Sequence, residues 1–396
     1  MVKFDCVDCL AGLCSTVFCD EYDRKCPLIE KVIIEKENAP WWNGEIANAR
    51  RLRRAAEKRW KRRRTEPLRN KYVEEKNKVN CLIRNAKIQY YKRKIEEAGI
   101  NIVRIYSCLN LLIGRSKQQQ RLPEGDSDLV LANRFSEFFD QKITKIYFSI
   151  PNTVNHKHYL PDVPFRNFCG FESVSIRQIE DIVDKAKKTF CGRDPFPIND
   201  IMGTDKKLQV INIYHRIVNL SISQGMFPTT EKIVEVKPTL KGKLDVQKLE
   251  SYRPITNASF LAKVIEIVVK NQLCEHLERL NVIPDQQSAY REHHSVETTL
   301  CGIMDDMLGC LDEGRCGILV LLDLSAAFDT VDHELLIKDL IYMAIEGVAL
   351  EWFKSYLSER KQYVTINGKI SETRSLKRGV PQDKCFGPYF VLNLHV

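Results

Sequence analysis

The chain has 396 residues, of which 44% are hydrophobic and 29% charged, a globular composition with room for roughly two or three domains. No stretch approaches the roughly 18 uninterrupted apolar residues that a membrane helix needs, and the N-terminal "MVKFDCVDCLAGLCSTVFCDEYD" carries acids and cysteines where a signal peptide would be apolar. The formal net charge is +9, and these features predict a soluble intracellular protein of the nucleus, the cytoplasm or both, without a membrane partner.

Five of the fourteen cysteines, Cys6, Cys9, Cys14, Cys19 and Cys26, crowd the first segment. A zinc knuckle would need a second close pair or a nearby histidine, and neither is present, so the expectation for residues 1–40 is a disordered or foreign leader running into a connector. The other nine are scattered singly, as small core hydrophobes in the reduced state often are.

Residues 41–99 hold 19 Lys or Arg against seven Asp or Glu, a local net charge of +12, which leaves the rest of the chain at −3. Ile46, Ala49, Leu52, Ala56 and Trp60 recur at three to four residues, Pro67 interrupts, and Tyr72, Val79, Ile83, Ala86 and Tyr90 resume the pattern. Two basic helices joined near Pro67 are predicted, within a connector spanning 41–120. A cation run is usually a solvated face. Here Arg50, Arg51, Arg53, Arg54, Arg59, Lys61, Arg62, Arg63 and Arg64 have few acidic partners at i+4, which favours a polyanion such as RNA or DNA. Trp60, Tyr72, Tyr90 and Tyr91 offer either base stacking or helix packing.

Two polar stretches, Gly114 to Asp128 and the one from Ser149, bracket a helix around Leu129 to Phe139. The region 121–215 continues with an amphipathic helix in "VSIRQIEDIVDKA", a turn forced by the prolines of "CGRDPFPIND", and a helix from near Lys206. From 216 to 396, short apolar runs alternate with helices: "KIVEVKPTL", then "FLAKVIEIVVKNQLCEHLERL", a helix from Ser295, and "GILVLLDL". The texture is α+β or α/β.

"GILVLLD" reads as a fully buried strand ending in a carboxylate, and "DHELLIKDL" as a helix with Asp332 at its N-cap and Glu334 in its first turn. Asp323, at the carboxyl end of the strand, is open to three readings: a Mg2+ ligand, a phosphate-accepting aspartate of a receiver-type domain, or a strand end meeting water.

"LLDLSAAFDTVDHELLIKDL", "ALEWFKSYLSERKQYVTINGKISETRSLKRGVPQ" and "ESYRPITNASFLAKVIEIVVKNQL" closely resemble the reverse transcriptase of jockey-like non-LTR (LINE) retrotransposons, in order and at family spacing. Upstream, "NAPWWNGEI" resembles the connector between such an element's endonuclease and its polymerase, and "GRDPFPINDIM" and "ISQGMFP" the start of the polymerase fingers. The resemblance implies an α+β fold with right-hand polymerase fingers and a partial palm on a mixed or antiparallel sheet, preceded by the basic helical connector and without a thumb. It implies an RNA template, a DNA primer or target, dNTPs as substrates, and Mg2+ (or Mn2+) as cofactor.

By the same resemblance Asp323 is the first catalytic aspartate and a ligand of two metal ions. Phe328 is the bulky residue beneath the incoming sugar, with a plain core aromatic as the alternative. Arg253, with Lys241 and Lys243, would hold the triphosphate, for which cationic donors are suited. Arg291 would approach the template, Gln382 would lie beside the nascent base pair, and Gly379 and Pro381 would shape that turn. His293 and His294 are read as polar surface. Where the family follows the glutamine with glycine, this chain has Asp383, so weakened template or nucleotide binding is expected. The chain stops before the place of the family's aromatic-x-Asp-Asp hairpin, and the expectations are no polymerisation by this chain alone and an exposed edge on the "GILVLLDL" strand.

Overall fold

A computed structural model describes residues 5–27, 39–99, 101–112, 122–149, 167–186, 188–242, 244–280, 287–289, 291, 293–322 and 326–380. The chain forms two compact units, Ile29–Arg121 and the remainder, in which Met1–Leu28 joins Leu122–Val396. No described helix is long and apolar enough to cross a membrane.

The leader corrects the sequence reading, because Val7–Lys25 is a helix, α1, built into the larger unit. Val7, Leu10, Ala11, Cys14, Phe18 and Tyr22 recur at three to four residues and therefore share one face. Val7 and Ala11 are fully buried, Phe18 meets the edge of the Phe196 ring at 5.2 Å, and the Tyr22 hydroxyl donates to Asp200 at 2.7 Å. The Thr229 amide in turn donates to Asp8 at 2.7 Å.

In the smaller unit, α2 (Gly44–Arg63) and α3 (Glu66–Ala98) form the expected pair of basic helices, followed by α4 (Ile102–Leu112). Trp60 stacks on Tyr72 at 5.4 Å and Lys87 lies over Trp41 at 4.8 Å, contacts that make the pair an antiparallel hairpin. Arg64 takes the left-handed conformation at the bend, and Pro67 falls in the first turn of α3, where its missing N–H leaves no bond unmade. Ile46, Ala49 and Val79 are buried in the seam, while Leu52 is exposed.

The larger unit continues with α5 (Asp128–Ser149), α6 (Ile176–Lys185), α7 (Lys207–Gln224), β1 (Ile233–Leu240), β2 (Tyr252–Asn257) and α8 (Phe260–Arg279). α9 (Val296–Asp312), α10 (His333–Tyr342), α11 (Gly347–Leu357), β3 (Lys361–Ile366), β4 (Lys369–Ile370) and β5 (Arg374–Ser375) follow. Side-chain caps set several starts: Ser175 and Gln178 make a capping box on α6, Ser259 caps α8, and Ser295 with Thr298 caps α9.

The sheet is mixed, in the order β2-β1-β3-β4 with β5 also on β3. β1 pairs antiparallel with β2 (Val236 opposite Thr256) and parallel with β3 (Val236 opposite Val364), so both of its edges are filled. The α+β expectation holds in this form. The main core gathers α1, α6, α7, α8, α10 and α11 around Trp352, Phe353 and Phe227. A second core lies beneath α5, whose Leu131, Ala132, Phe135 and Phe139 pack on Val236, Tyr252, Val364 and Ile366.

The second correction concerns "GILVLL". Read as a buried strand, it joins no sheet among the described residues, and Ile318, Val320, Leu321 and Leu322 are 91%, 69%, 83% and 90% exposed. Apolarity and β-branching suit a segment to a sheet only where a free edge and a covering layer exist. Both edges of β1 are taken and the α5 face of the sheet is already covered, while the outer edge of β2, which the segment does not join, has no partner among the described residues.

Candidate functional site

Asp323, Lys243, Pro381 and Gln382, and Asp383 after them, lie outside the described residues. The flanking segments are described, and they meet. The turn that carries Phe328 is closed by the Asp329 and Thr330 amides on the Ala326 carbonyl, at 2.9 and 3.2 Å. Phe328 is half-buried and packs against the main core, the contact a core aromatic makes. Asp332 caps α10 as expected, one carboxylate oxygen accepting from the amides of Glu334 (2.9 Å) and Leu335 (3.2 Å).

Onto this turn comes the segment ending in Gly379. The Gly379 amide donates to the Val331 carbonyl and the Val380 amide to the Phe328 carbonyl, both at 2.8 Å, and His333 Nε2 donates to the Gly379 carbonyl at 2.8 Å. Gly379 has φ +80°, and a Cβ there would stand 2.8 Å from the Asp329 carbonyl oxygen and 2.9 Å from its Cα. Only glycine fits this approach without a shift of backbone. Beside it is a cavity of about 30 Å³, enough for water, lined among others by Phe139 and Ile143 of α5, Thr256 of β2, and Asp329, Arg378 and Gly379.

Burial pushes the His333 imidazole below its ordinary range, with the Gly379 hydrogen bond and the Asp332 charge pulling the other way. The folded chain therefore gives up this proton at a lower pH than the unfolded chain does. The associated stability is complete above the unfolded value near 6.5 and is lost as pH falls through the folded one. Urea midpoints should fall between about pH 7 and pH 5, with a shallower slope in His333→Gln. Equal slopes in the two proteins would remove His333 as the cause.

Arg253 and Lys241 are brought together at one end of the β1–β2 hairpin. Arg253 is exposed on β2 opposite Thr239, and Lys241 directly follows β1, its amide donating to the Ser251 carbonyl at 2.8 Å and its ammonium to the Glu250 carbonyl at 3.0 Å. Burial, then the positive charges of Lys142 and Arg253, hold the Lys241 ammonium below the usual lysine range. Arg291 is half-buried, and its carbonyl accepts from the His294 amide at 3.3 Å.

In the smaller unit, Arg51, Arg54, Arg59, Lys61, Arg62, Arg63 and Arg64 are exposed, whereas Arg50 and Arg53 are half-buried. Arg50 lies over the Trp42 ring at 5.0 Å. Among the described residues Lys61 alone of the nine forms an ion pair, with Glu57 at 2.9 Å. Trp60 and Tyr72 stack on each other across the hairpin, and Tyr90 meets its sequence neighbour Tyr91 edge-on at 5.2 Å.

Among the described residues no three His, Cys, Asp or Glu side chains converge as metal ligands. With Asp332 engaged in capping, the described residues do not assemble the donor set that two divalent ions require.

The part played by α5 is what the sequence reading missed. Phe135, Phe139, Ile143 and Tyr147, four residues apart, form one stripe that runs from the second core to the cavity and on to Arg378, whose guanidinium lies 3.3 Å from the centre of the Tyr147 ring. The four-residue spacing was the available signal.

Residues 239–391 match the family model described as reverse transcriptase (RNA-dependent DNA polymerase). The chain is similar to the probable RNA-directed DNA polymerase from transposon BS of Drosophila melanogaster, at 25% identity over 78% of this chain and 34% of that protein. It is also similar to the RNA-directed DNA polymerases from mobile element jockey of Drosophila melanogaster (25% identity, 64% of this chain, 28% of that protein) and of Drosophila funebris (28% identity, 57% and 24%). The chain thus spans about a third or less of the length of these relatives.

Proposed function

We propose that this chain, whose residues 239–391 match the reverse transcriptase model and which is similar to polymerases from mobile elements, is the nucleotide- and template-handling part of an RNA-directed DNA polymerase that copies element RNA into DNA. The observation that best supports the reading is the closure of the Gly379 segment onto the Phe328 turn. It draws two motifs about fifty residues apart in sequence to a separation that admits no Cβ.

In this reading Asp323 contributes to binding Mg2+ or Mn2+, ions that would activate the primer hydroxyl and steady the leaving pyrophosphate. Phe328 excludes ribonucleotides, Arg253, Lys241 and Lys243 receive the triphosphate, and Arg291, Gly379, Pro381 and Gln382 line the template. With Asp332 capping α10, Asp323 and Asp329 offer too few donors for two ions, and we propose that the chain by itself does not polymerise. Direct ultraviolet crosslinking of dTTP should fall about tenfold in Arg253→Ala, as removal of one charge-assisted phosphate contact predicts. Equal yields from the parent and the variant would sink the nucleotide reading.

One observation favours a second reading, a non-catalytic RNA- or DNA-binding protein of retrotransposon origin: the exposed cations of α2 that lack ionic partners. Replacing Arg51, Arg54, Arg59, Arg62 and Arg63 by glutamine should flatten the salt dependence of RNA binding by about 0.7 log units for each phosphate that is no longer neutralised. Filter binding across 50–200 mM salt measures this, and an unchanged slope assigns the phosphate neutralisation to other cations.

A further inference from the structure

α5 precedes the matched segment 239–391, yet its last turn touches both of the motifs joined at Gly379. The Tyr147 ring lies against the Arg378 guanidinium at 3.3 Å, and its hydroxyl donates a long hydrogen bond of 3.4 Å to Asp332 Oδ2. The other oxygen of Asp332 caps α10. One side chain therefore bridges the residue before Gly379 and the residue that ends the Phe328 turn, and the backbone bonds from Gly379 to Val331 and from Val380 to Phe328 join the same two segments.

Tyr147 and Arg378 are both half-buried, a setting in which a guanidinium–ring contact is stronger than in open water. Phe148, the next residue, is 77% exposed, so the contact belongs to position 147 and not to the aromatic end of α5 in general.

We propose that Tyr147 is a positioning residue of the template site, holding the Arg378–Val380 segment against the Phe328–His333 segment, and that α5 is accordingly a working part of the polymerase and not a linker to it. The inference rests on the reading that the Gly379 segment meets the template–primer. It adds a residue that the matched segment does not contain.

Hydrogen exchange and photocrosslinking on the full chain test it together. In Tyr147→Ala the Gly379 and Val380 amides should exchange about tenfold faster, with the β1 and β3 amides unchanged, as for local opening. Tyr147→Phe, which keeps the ring, should stay within about twofold of the parent, and Phe148→Ala should match the parent. Arg378→Gln should reproduce Tyr147→Ala, and the double variant should add little, the coupling expected of direct partners. Crosslinking of a 4-thiouridine RNA template paired with a DNA primer, located at Gly379–Gln382, should drop about fivefold in Tyr147→Ala and recover in Tyr147→Phe.

Unchanged exchange and crosslinking in Tyr147→Ala overturn the inference while leaving the template reading in place. Faster exchange with no crosslink at Gly379–Gln382, even in the parent, overturns the template reading and the positioning role with it. Loss of protection in β1 and β3 as well makes Tyr147 an ordinary packing residue and also overturns it.

Discussion

Trp352→Ala should lower the stability of the larger unit by about 3–5 kcal/mol, the cost of emptying a large aromatic site in a core. Trp352 has no exposed surface, and four rings enclose it: Phe171, Phe227 and Phe353 edge-on at 5.9, 5.7 and 5.3 Å, and Tyr356 stacked at 5.3 Å. Its indole N–H donates to the Ser221 hydroxyl at 3.0 Å, which itself donates to the Met226 carbonyl. Truncation thus leaves a cavity and strips a buried hydroxyl of its donor. Trp352→Phe keeps much of the volume and should cost less. Urea unfolding followed by circular dichroism measures both, and a loss below about 1 kcal/mol for the alanine variant would mean that the rings close over the gap.

Gly379→Ala should destabilise the same unit by at least about 2 kcal/mol, from left-handed strain and a forced retreat of the Asp329 backbone. An internal control separates the two causes. Gly368 has the same φ of +80°, but a Cβ there meets nothing within 4 Å. Gly368→Ala should therefore show the strain alone, about 1 kcal/mol, and the excess in Gly379→Ala measures the close approach of the two motifs. Template crosslinking should correspondingly fall in Gly379→Ala and hold in Gly368→Ala. Equal stability losses in the two variants would mean that the Asp329 backbone yields without cost.

The helices were legible wherever one face had to be apolar and a cap marked the start. "DHELLIKDL" is such a case, with Asp332 found on the first amides of α10, whereas α9 was legible from its Ser295 cap alone and buries none of its residues. α1 was also legible in principle, since Val7, Leu10, Ala11, Cys14, Phe18 and Tyr22 carry a helical period, but the crowded cysteines, matching no metal-site spacing, led to the expectation of a disordered or foreign leader. "GILVLL" was misread for a different reason: its composition specifies a strand, and nothing local records that β1 already has neighbours on both sides. At the candidate site, the identities of Phe328, Arg253 and Gly379 came from family resemblance. The meeting of Tyr147, Asp332 and Arg378, drawn from three separated segments, is a tertiary fact that no window of sequence contains.

The parallel pairing of β1 with β3 also bears on how the chain comes into being. Ile233 pairs with Lys361, so β1 leaves a translating ribosome on the order of 10 s before its partner at ordinary elongation rates. Through that interval both outer edges of the β1–β2 hairpin are open, including the β1 edge that β3 later fills, and α5 lacks the β3 part of the surface it finally covers. Such a gap in time favours chaperone capture or strand exchange between neighbouring nascent chains over solitary folding. Slowing the ribosome between Asn257 and Lys361 should therefore reduce the yield of native protein more than the same delay placed after Ser375.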